Sequence, residues 1–179
     1  MTFNSIKDYF NALLDLKNKS EHMKYVYHGS LYKFDIAKPH STSRGSIKNG
    51  KQVINYEGIS LHATPHKWIA LSYIWSKGIS YIKNGKTKHF NVGVSLFNND
   101  KEIDIWGIKS LEYSLEKIYG GGGYIYTFNA KYFKHIKGLG PLEVLSYTEQ
   151  TPNKIEFIKD PVKEMKKLGV KFKFIANNN

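Results

Sequence analysis

The sequence predicts an α+β domain built mostly from antiparallel sheets. Its apolar pattern gives many short strands and two or three small helices, without the regular strand–helix alternation of a doubly wound sheet. With 179 residues, 41% hydrophobic and 15% aromatic, the chain can bury one substantial core. We therefore expect a single domain over residues 1–179, with an N-terminal helix at about 5–23 and a core at about 24–176.

The first third of the chain predicts a helix, a strand and a long loop. Residues 5–23 place apolar side chains at helical spacing behind Ser5 as N-cap. Tyr25–Ser30 is a run of strand-forming residues. The polar stretch Lys38–Lys51, rich in serine and glycine, predicts a loop of unusual length, and loops of this kind often act as lids. Arg44 lies in this loop, where it could bind a phosphate or stay in solvent.

The middle of the chain predicts a strand, a buried helix and a hairpin. Gly58–Thr64 is typical of a strand, and Thr64 followed by Pro65 predicts the start of a helix that runs to about Ser76. Apolar residues surround most of this helix, so we expect it to be buried. Tyr81–Lys88 is predicted to be a turn, in which Asn84-Gly85 is a hairpin signal, between strands near Ile79–Ile82 and His89–Phe97.

The remaining elements follow from shorter patterns. We expect helices that end at glycine over 110–119 and 161–168, and a single helical turn over 130–133. Strands are expected at Lys101–Trp106, Tyr124–Asn129, Glu143–Thr148, Ile155–Ile158 and Val170–Ile175. The run Gly120–Gly123 lacks the Lys-Ser/Thr that follows a phosphate-binding P-loop, which indicates a flexible helix exit instead.

Composition limits the classes of function. The chain contains no cysteine, which excludes disulfides, a thiolate nucleophile and a cysteine-based zinc site. It has no long apolar run and no basic leader followed by an apolar stretch, so we expect a cytoplasmic protein with no membrane partner. His62 and His66 lack further ligands at metal-binding spacing, and we expect no metal.

The positive charge points to a polyanionic partner. The net charge is +12, and all but one of the 27 basic residues are lysine. Lysines attract phosphates without the bidentate base recognition that arginine provides, so the charge favours nucleic acid bound without sequence preference. A lysine-rich codon bias with solvated charges explains the same composition equally well.

The end of the first strand offers several polar groups to a ligand. His28 has two ring nitrogens, Ser30 has a hydroxyl, and Gly29 permits close approach to the backbone. These residues are typical of one wall of a ligand cleft. A strand that ends in a glycine turn beside a half-buried histidine accounts for them as well.

Three separated segments resemble, in order, the signature blocks of the ADP-ribosyltransferases, in particular the diphtheria-toxin-like and poly(ADP-ribose) polymerase-like clade. The family has a strand ending His-Gly-Ser, a Gly-Ile-Tyr-Phe strand followed by a helix with Ser-Ala-x-Tyr, and a strand Asn-Glu-Tyr followed by Gln-Val. The matching segments here are Tyr27-His28-Gly29-Ser30, then Gly58-Ile59-Ser60-Leu61 with Ala70-Leu71-Ser72-Tyr73, and then Leu142-Glu143-Val144-Leu145-Ser146-Tyr147 with Gln150. They span most of the chain.

The resemblance implies two packed, mostly antiparallel sheets with an NAD cleft between them, and NAD as the substrate. It implies that the Gly29 backbone holds the nicotinamide amide, that His28 and Ser30 bind ribose hydroxyls, and that Tyr73 stacks on the nicotinamide ring. Glu143 would be the catalytic carboxylate, acting with His28, because a carboxylate stabilises the oxocarbenium-like species formed when the nicotinamide–ribose bond breaks.

Arg44 and Ser60 complete the candidate NAD-binding residues. Ser60 occupies the position of the family's tyrosine, although a shift in register moves that position to Leu61 or His62. The missing aromatic face is then absent or supplied by Trp68 or Tyr56. Glu149 is a competing acid, but Glu143 precedes the strand at the family's spacing to Gln150.

Three functions remain open at this stage. The first is an NAD-dependent ADP-ribosyltransferase whose macromolecular acceptor is a nucleic acid or a nucleic-acid-associated protein. The second is an inactive module of the same fold that binds NAD, ADP-ribose or another nucleotide. The third is a basic nucleic-acid-binding protein. Composition and the family's habits together favour a toxin-like protein that acts in conflict between bacteria and phage.

Overall fold

The structure is a computed structural model that describes residues 23–48, 51–75, 80–83, 86–89, 91–97, 100–106, 115–136, 139 and 142–175. The predicted N-terminal helix lies outside these residues except for Met23. The described residues form the strands β1 (Tyr25–Ser30), β2 (His40–Lys48), β3 (Lys51–Ala63), β4 (Ser80–Lys83), β5 (Lys86–His89), β6 (Asn91–Phe97), β7 (Asp100–Trp106), β8 (Gly123–Asn129), β9 (Val144–Ser146), β10 (Lys154–Ile158) and β11 (Lys171–Ile175). The helices are α1 (Lys67–Ser72), α2 (Leu115–Tyr119), α3 (Pro161–Lys167) and a 3-10 turn at Ala130–Tyr132.

The described strands form four small sheets, which confirms the α+β class with mostly antiparallel pairing. The strand orders are β1-β8-β10, β2-β3-β9, β11-β7-β6 and β4-β5. β2 and β9 pair antiparallel with β3, β6 pairs antiparallel with β7, and β4 pairs antiparallel with β5. β11 pairs parallel with β7. The arrangement in two packed sheets around an NAD cleft stays a prediction.

The backbone divides into two compact units, which we describe separately. The first contains the described residues of Met1–His28, Phe34–Lys67 and Tyr126–Lys154, and the second those of Gly29–Lys33, Trp68–Ile125 and Ile155–Asn179. Large buried side chains of the first unit include Tyr126, Phe128, Leu61 and Leu145, and those of the second include Leu71, Ile74, Ile103, Ile105 and Met165. The single domain expected over 1–179 stays a prediction. None of the described helices is long and apolar enough to cross a membrane.

The loop expected over Lys38–Lys51 is wrong. Its residues include all of β2, which pairs antiparallel with the long strand β3 from His40↔Ser60 to Lys48↔Lys51. The register shifts between Arg44 and Gly45, as a β-bulge does. Serine and threonine fit a strand with exposed positions, such as Ser41 and Ser43 here, and tertiary pairing overrides the local turn signals.

The helix predicted from Pro65 begins two residues later, at Lys67. Thr64 is still bound to the sheet, since its backbone N–H and carbonyl pair with Tyr27 at 2.8 and 2.7 Å. Its hydroxyl accepts from the backbone N–H of His66 at 3.2 Å, a local turn that replaces the expected N-cap at the helix start. The predicted burial of the helix is confirmed, because the residues from Trp68 to Ser72 are all buried.

Most other sequence predictions hold, with changed bounds. The turn predicted over Tyr81–Lys88 is wrong, because most of these residues belong to β4 and β5, which pair antiparallel; Asn84 and Gly85 lie outside the described residues. The predicted strand His89–Phe97 is divided, since β5 ends at His89 and β6 begins at Asn91. β7, β8, β10, β11, α3 and the 3-10 turn lie within one residue of their expected positions. The expected strand Glu143–Thr148 shortens to β9, so that Glu143 directly precedes the strand.

The glycine run after α2 forms a defined turn. Gly122 has φ +63°, and a Cβ there would lie 2.6 Å from the carbonyl oxygen of Ile158 in β10. The turn therefore packs against the end of β10, and Gly123 begins β8. A glycine is required at position 122 for both reasons.

Gly29 is fixed by packing in the second unit, and substitution tests this. A Cβ at Gly29 would lie 1.9 Å from the carbonyl oxygen of Ala70 and 2.9 Å from its carbonyl carbon. Because these are backbone atoms of α1, rotation of a side chain cannot relieve the clash. We expect Gly29→Ala to lower the free energy of unfolding by about 3 kcal/mol, measured by chemical denaturation.

Gly121→Ala is the matched control for this prediction. Gly121 is exposed, and a Cβ there would have no heavy atom within 4 Å. We expect this variant to unfold within about 0.5 kcal/mol of the wild type. Equal destabilisation by the two substitutions would contradict the packing role of Gly29.

Candidate active site

The candidate site of the first unit is centred on His62, near the end of β3. The strand has exposed positions in its earlier part, such as Ile59, which is 67% exposed, but Ser60 and the residues that follow are buried. His62 itself is only 7% exposed. A buried imidazole is stable only when its polar nitrogens are hydrogen-bonded, so the partners of His62 define the site.

Two hydroxyl groups lie at Nε2 of His62. The Thr42 Oγ1 atom of β2 is 2.7 Å from Nε2, and the Ser60 Oγ atom of β3 is 3.1 Å away. The pairing of β2 with β3 delivers Thr42, whose Cα partner is Gly58. In the neutral ring with a proton on Nδ1, Nε2 accepts from these hydroxyls.

The carboxylate of Glu143 lies at the opposite nitrogen of the same ring. His62 Nδ1–H donates to Glu143 Oε1, and the two side chains are 9% and 21% exposed. Glu143 reaches this position because β9 pairs with the end of β3, with Ala63 opposite Val144. His135 Nδ1 donates to the Glu143 carbonyl oxygen at 3.1 Å. Glu143 is therefore held at both its side chain and its backbone, while its carboxylate still reaches solvent.

His28 joins the same cluster through the backbone of His62. The pairing of Tyr27 with Thr64 places β1 beside the end of β3, and His28 Nδ1 donates to the His62 carbonyl oxygen at 2.8 Å. The His28 ring also lies 6.0 Å from the Phe34 ring and 6.2 Å from the Tyr126 ring. Phe34 and Tyr126 stack on each other at 3.7 Å, which gives His28 a rigid aromatic support.

The arrangement is a hydrogen-bonded series of hydroxyl, imidazole and carboxylate groups. The His62 imidazole orients the Glu143 carboxylate through the hydrogen bond from Nδ1. A carboxylate held in this way can stabilise positive charge that develops on a bound substrate. Ser60 and His62 are buried, whereas Thr42, Glu143 and the half-buried His28 are members that a substrate could contact.

The structure places the other predicted NAD-binding residues as follows. Gly29, Ser30 and Tyr73 belong to the second unit. The Ser30 hydroxyl accepts from the backbone N–H of Tyr32 at 3.1 Å, and Tyr73, directly after α1, is 49% exposed. Arg44 is opposite Tyr56 in the register of β2 and β3, and its side chain lies outside the described part of the structure. The ligand roles of all four stay predictions.

The competing acid and the substitute aromatic residues are also located. Glu149 lies on the surface, 3.4 Å from Lys38 Nζ, with its side chain 56% exposed. Tyr56 lies with its ring edge-on to His62 at 5.9 Å, and its hydroxyl passes over Gly58, where a Cβ would come within 2.8 Å. Trp68 is in the second unit and is 97% buried in its packing, at 3% exposure. Of these residues, Tyr56 belongs to the cluster.

The sequence missed three members of the site, namely His62 as its centre, Thr42 and His135. The sequence marks His62 only as a possible metal ligand or as a shifted position of the family's tyrosine. The alternation of Tyr56, Gly58, Ser60 and His62 along one strand was the signal that could have grouped it with Ser60. Thr42 and His135 come from distant segments, and nothing in their own sequence marks them.

The described residues contain no group of three or more histidine, cysteine, aspartate or glutamate side chains placed to hold a metal ion. Comparison of the chain with protein-family models, with curated proteins and with solved structures gives no match. The function is therefore argued from the site itself.

Proposed function

We propose that this protein is an NAD-dependent ADP-ribosyltransferase with an ADP-ribosyltransferase-like fold and an NAD cleft. The observation that carries the proposal is the meeting of His28 and Glu143 at one residue. They lie 34 positions before and 81 positions after His62, and both form hydrogen bonds to it. The resemblance assigns ribose binding to His28 and catalysis to Glu143, and a single buried residue links the two.

In the proposed reaction the bond between the ribose C1′ atom and the nicotinamide nitrogen breaks. Nicotinamide leaves with the electron pair, and the ribose acquires positive charge. Glu143 stabilises that charge and orients a ribose hydroxyl or the acceptor group. A nucleophile of the acceptor then bonds to C1′ and releases its proton. His28 binds a ribose hydroxyl, and His62 keeps the Glu143 carboxylate in place.

Within the first unit, Tyr56 is the candidate for aromatic contact with the nicotinamide. Tyr56 replaces the aromatic face that Ser60 cannot provide, because the tyrosine ring lies against His62. A positively charged pyridinium ring is attracted to the face of a tyrosine. The acceptor is a macromolecule, and the net charge of +12 favours a nucleic acid or a protein bound to one.

A second candidate function is an inactive module that binds NAD, ADP-ribose or another nucleotide. The specific observation in its favour is the environment of Ser60. This residue occupies the position of the family's tyrosine, is 0% exposed and directs its hydroxyl to His62. Such a site keeps the polar contacts of a nucleotide pocket and lacks one stacking wall.

Nicotinamide release by the purified protein tests the proposal. The protein is incubated with NAD alone, and then with added DNA, RNA or cell lysate, and each sample is analysed for free nicotinamide and for intact mass. We expect release together with a mass increase of one or more ADP-ribose groups on an acceptor. Thermal stabilisation by NAD or ADP-ribose without release would support the inactive module. The absence of both release and stabilisation would overturn both candidates.

A further inference from the structure

The second unit contains a large open cleft that the proposed transferase reaction does not use. It has a volume of about 1170 Å³ and is bounded by the end of α2, the end of β10 and one side of α3. Gly120 at its edge is exposed, so the backbone there is accessible without a side chain above it. The glycine turn forms a fixed border, because Gly122 packs against the Ile158 carbonyl group.

The charged residues of the cleft leave an excess of lysine. Four lysines and two acids line it, and both acids are already engaged. The Asp160 carboxylate accepts from the backbone N–H of Lys163 at 2.9 Å and caps α3, and Glu164 pairs with Lys167 Nζ at 2.7 Å. Within the part of the chain that the structure describes, Lys159, Lys163 and Lys166 form no ion pair, and all three are exposed. A polyanion is the ligand that this charge pattern attracts.

An exposed aromatic ring lies among these lysines. Phe157 of β10 is 59% exposed and lines the cleft. Its ring is 5.2 Å from the ring of Tyr124 in β8, tilted by 58°, so a neighbour holds it on one side. A phenylalanine ring left in water lacks the stabilisation that burial of its apolar surface provides. A ligand that stacks on the ring buries part of this surface and so recovers part of that stabilisation.

We infer that this cleft binds single-stranded nucleic acid. Lys159, Lys163 and Lys166 neutralise successive phosphates, and Phe157 provides a platform for a base. Stacking on an aromatic ring combined with a lysine-lined groove is the general way in which proteins bind single strands without sequence preference. Lysine in place of arginine agrees with that lack of preference, because the ammonium group is a compact point charge without the planar fork of donors that arginine presents to a base edge.

The inference goes beyond the proposed transferase activity and does not depend on it. Binding is measured without NAD, by fluorescence anisotropy of labelled oligothymidine and oligouridine of about 12 nucleotides, a length within the range of known single-strand sites. A protein that binds these strands but releases no nicotinamide keeps this inference and loses the transferase. A protein that releases nicotinamide but does not bind these strands keeps the transferase and loses this inference.

Two kinds of substitution separate the charge from the aromatic contribution. We expect Lys163→Glu with Lys166→Glu to weaken binding at least about tenfold at low salt and to flatten the dependence of affinity on salt, because fewer counterions are released. We expect Phe157→Ala to weaken binding about fivefold or more at every salt concentration, with an unchanged salt slope. Phe157→Tyr retains an aromatic face and should bind like the wild type.

Matched controls come from the first unit. Lys131 and Tyr132 are exposed, with Lys131 Nζ 4.7 Å from the centre of the Tyr132 ring, and they offer the same residue types outside the cleft. Lys131→Glu and Tyr132→Ala should leave affinity close to that of the wild type. Equal losses in the control and cleft variants would overturn the inference by showing attraction to overall charge alone. Absence of wild-type binding at low salt, or wild-type affinity in both cleft variants, would also overturn it.

Discussion

Replacement of Glu143 by glutamine is expected to lower the rate of nicotinamide release at least about a hundredfold while NAD still binds. Glutamine has nearly the same shape, and its amide oxygen can still accept the hydrogen bond from His62 Nδ1, so the cluster keeps its geometry. What the variant lacks is the negative charge that stabilises the ribose cation. The rate is measured by chromatography of nicotinamide, and NAD binding by the shift in melting temperature.

Glu149→Gln is the matched control for Glu143→Gln. Glu149 lies six positions further along the chain, but its carboxylate is exposed and pairs with Lys38 on the surface. Exposed ion pairs of this kind contribute little to stability, so we expect a rate within about twofold of the wild type. A wild-type rate in Glu143→Gln would reject Glu143 as the catalytic carboxylate. A normal rate at saturating NAD with lost affinity would assign Glu143 to binding alone.

Much of the fold could be predicted because its signals are local. The helix that begins at Pro161 has an aspartate cap before it and a glycine after it, and Gly169 adopts φ +79° as expected for a helix end. The hairpin near Asn84-Gly85 follows from a dipeptide that favours a tight turn. These elements were placed to within a few residues, since each is determined by residues adjacent in the chain.

The strand β2 could not be predicted because its cause is not local. Its serines and glycines give a turn signal, but its backbone pairs along nine positions of β3. Alternate pairs along this antiparallel ladder exchange backbone hydrogen bonds, which a loop would have left to water. The preference of the residues for turns is small beside the hydrogen bonds of the complete ladder, so the long partner strand determines the structure.

The sequence predicts His28 and Glu143 as members of the candidate site, but it does not predict His62, to which both form hydrogen bonds. His28 and Glu143 were selected from short motifs that each carry their own sequence context. His62 has no such context, and its role arises only when β1, β2 and β9 all lie beside the end of β3. A single sequence shows which side chains could bind a ligand or take part in catalysis. Which of them form a buried hydrogen-bonded cluster depends on strand pairings between distant segments, which the sequence does not show.

His62 is the residue whose substitution best tests this geometry. We expect His62→Gln to reduce kcat for nicotinamide release about 10- to 100-fold, because the Glu143 carboxylate loses the donor that orients it. His62→Asn should retain more activity than His62→Gln. The asparagine amide nitrogen occupies the place of Nδ1 and can still donate to Glu143, whereas the glutamine amide extends towards Thr42 and Ser60 at the other end of the ring.

A purely structural role for His62 predicts a different pattern, so the two variants are decisive. Since His62 acts through Glu143, kcat should fall while KM for NAD changes little, and His62→Gln should add no further loss in the Glu143→Gln background. Melting temperatures identify any variant that fails to fold. Equal kcat in the two folded His62 variants would contradict the orienting role. A further loss in the double variant would mean that His62 contributes to the reaction by a route other than Glu143.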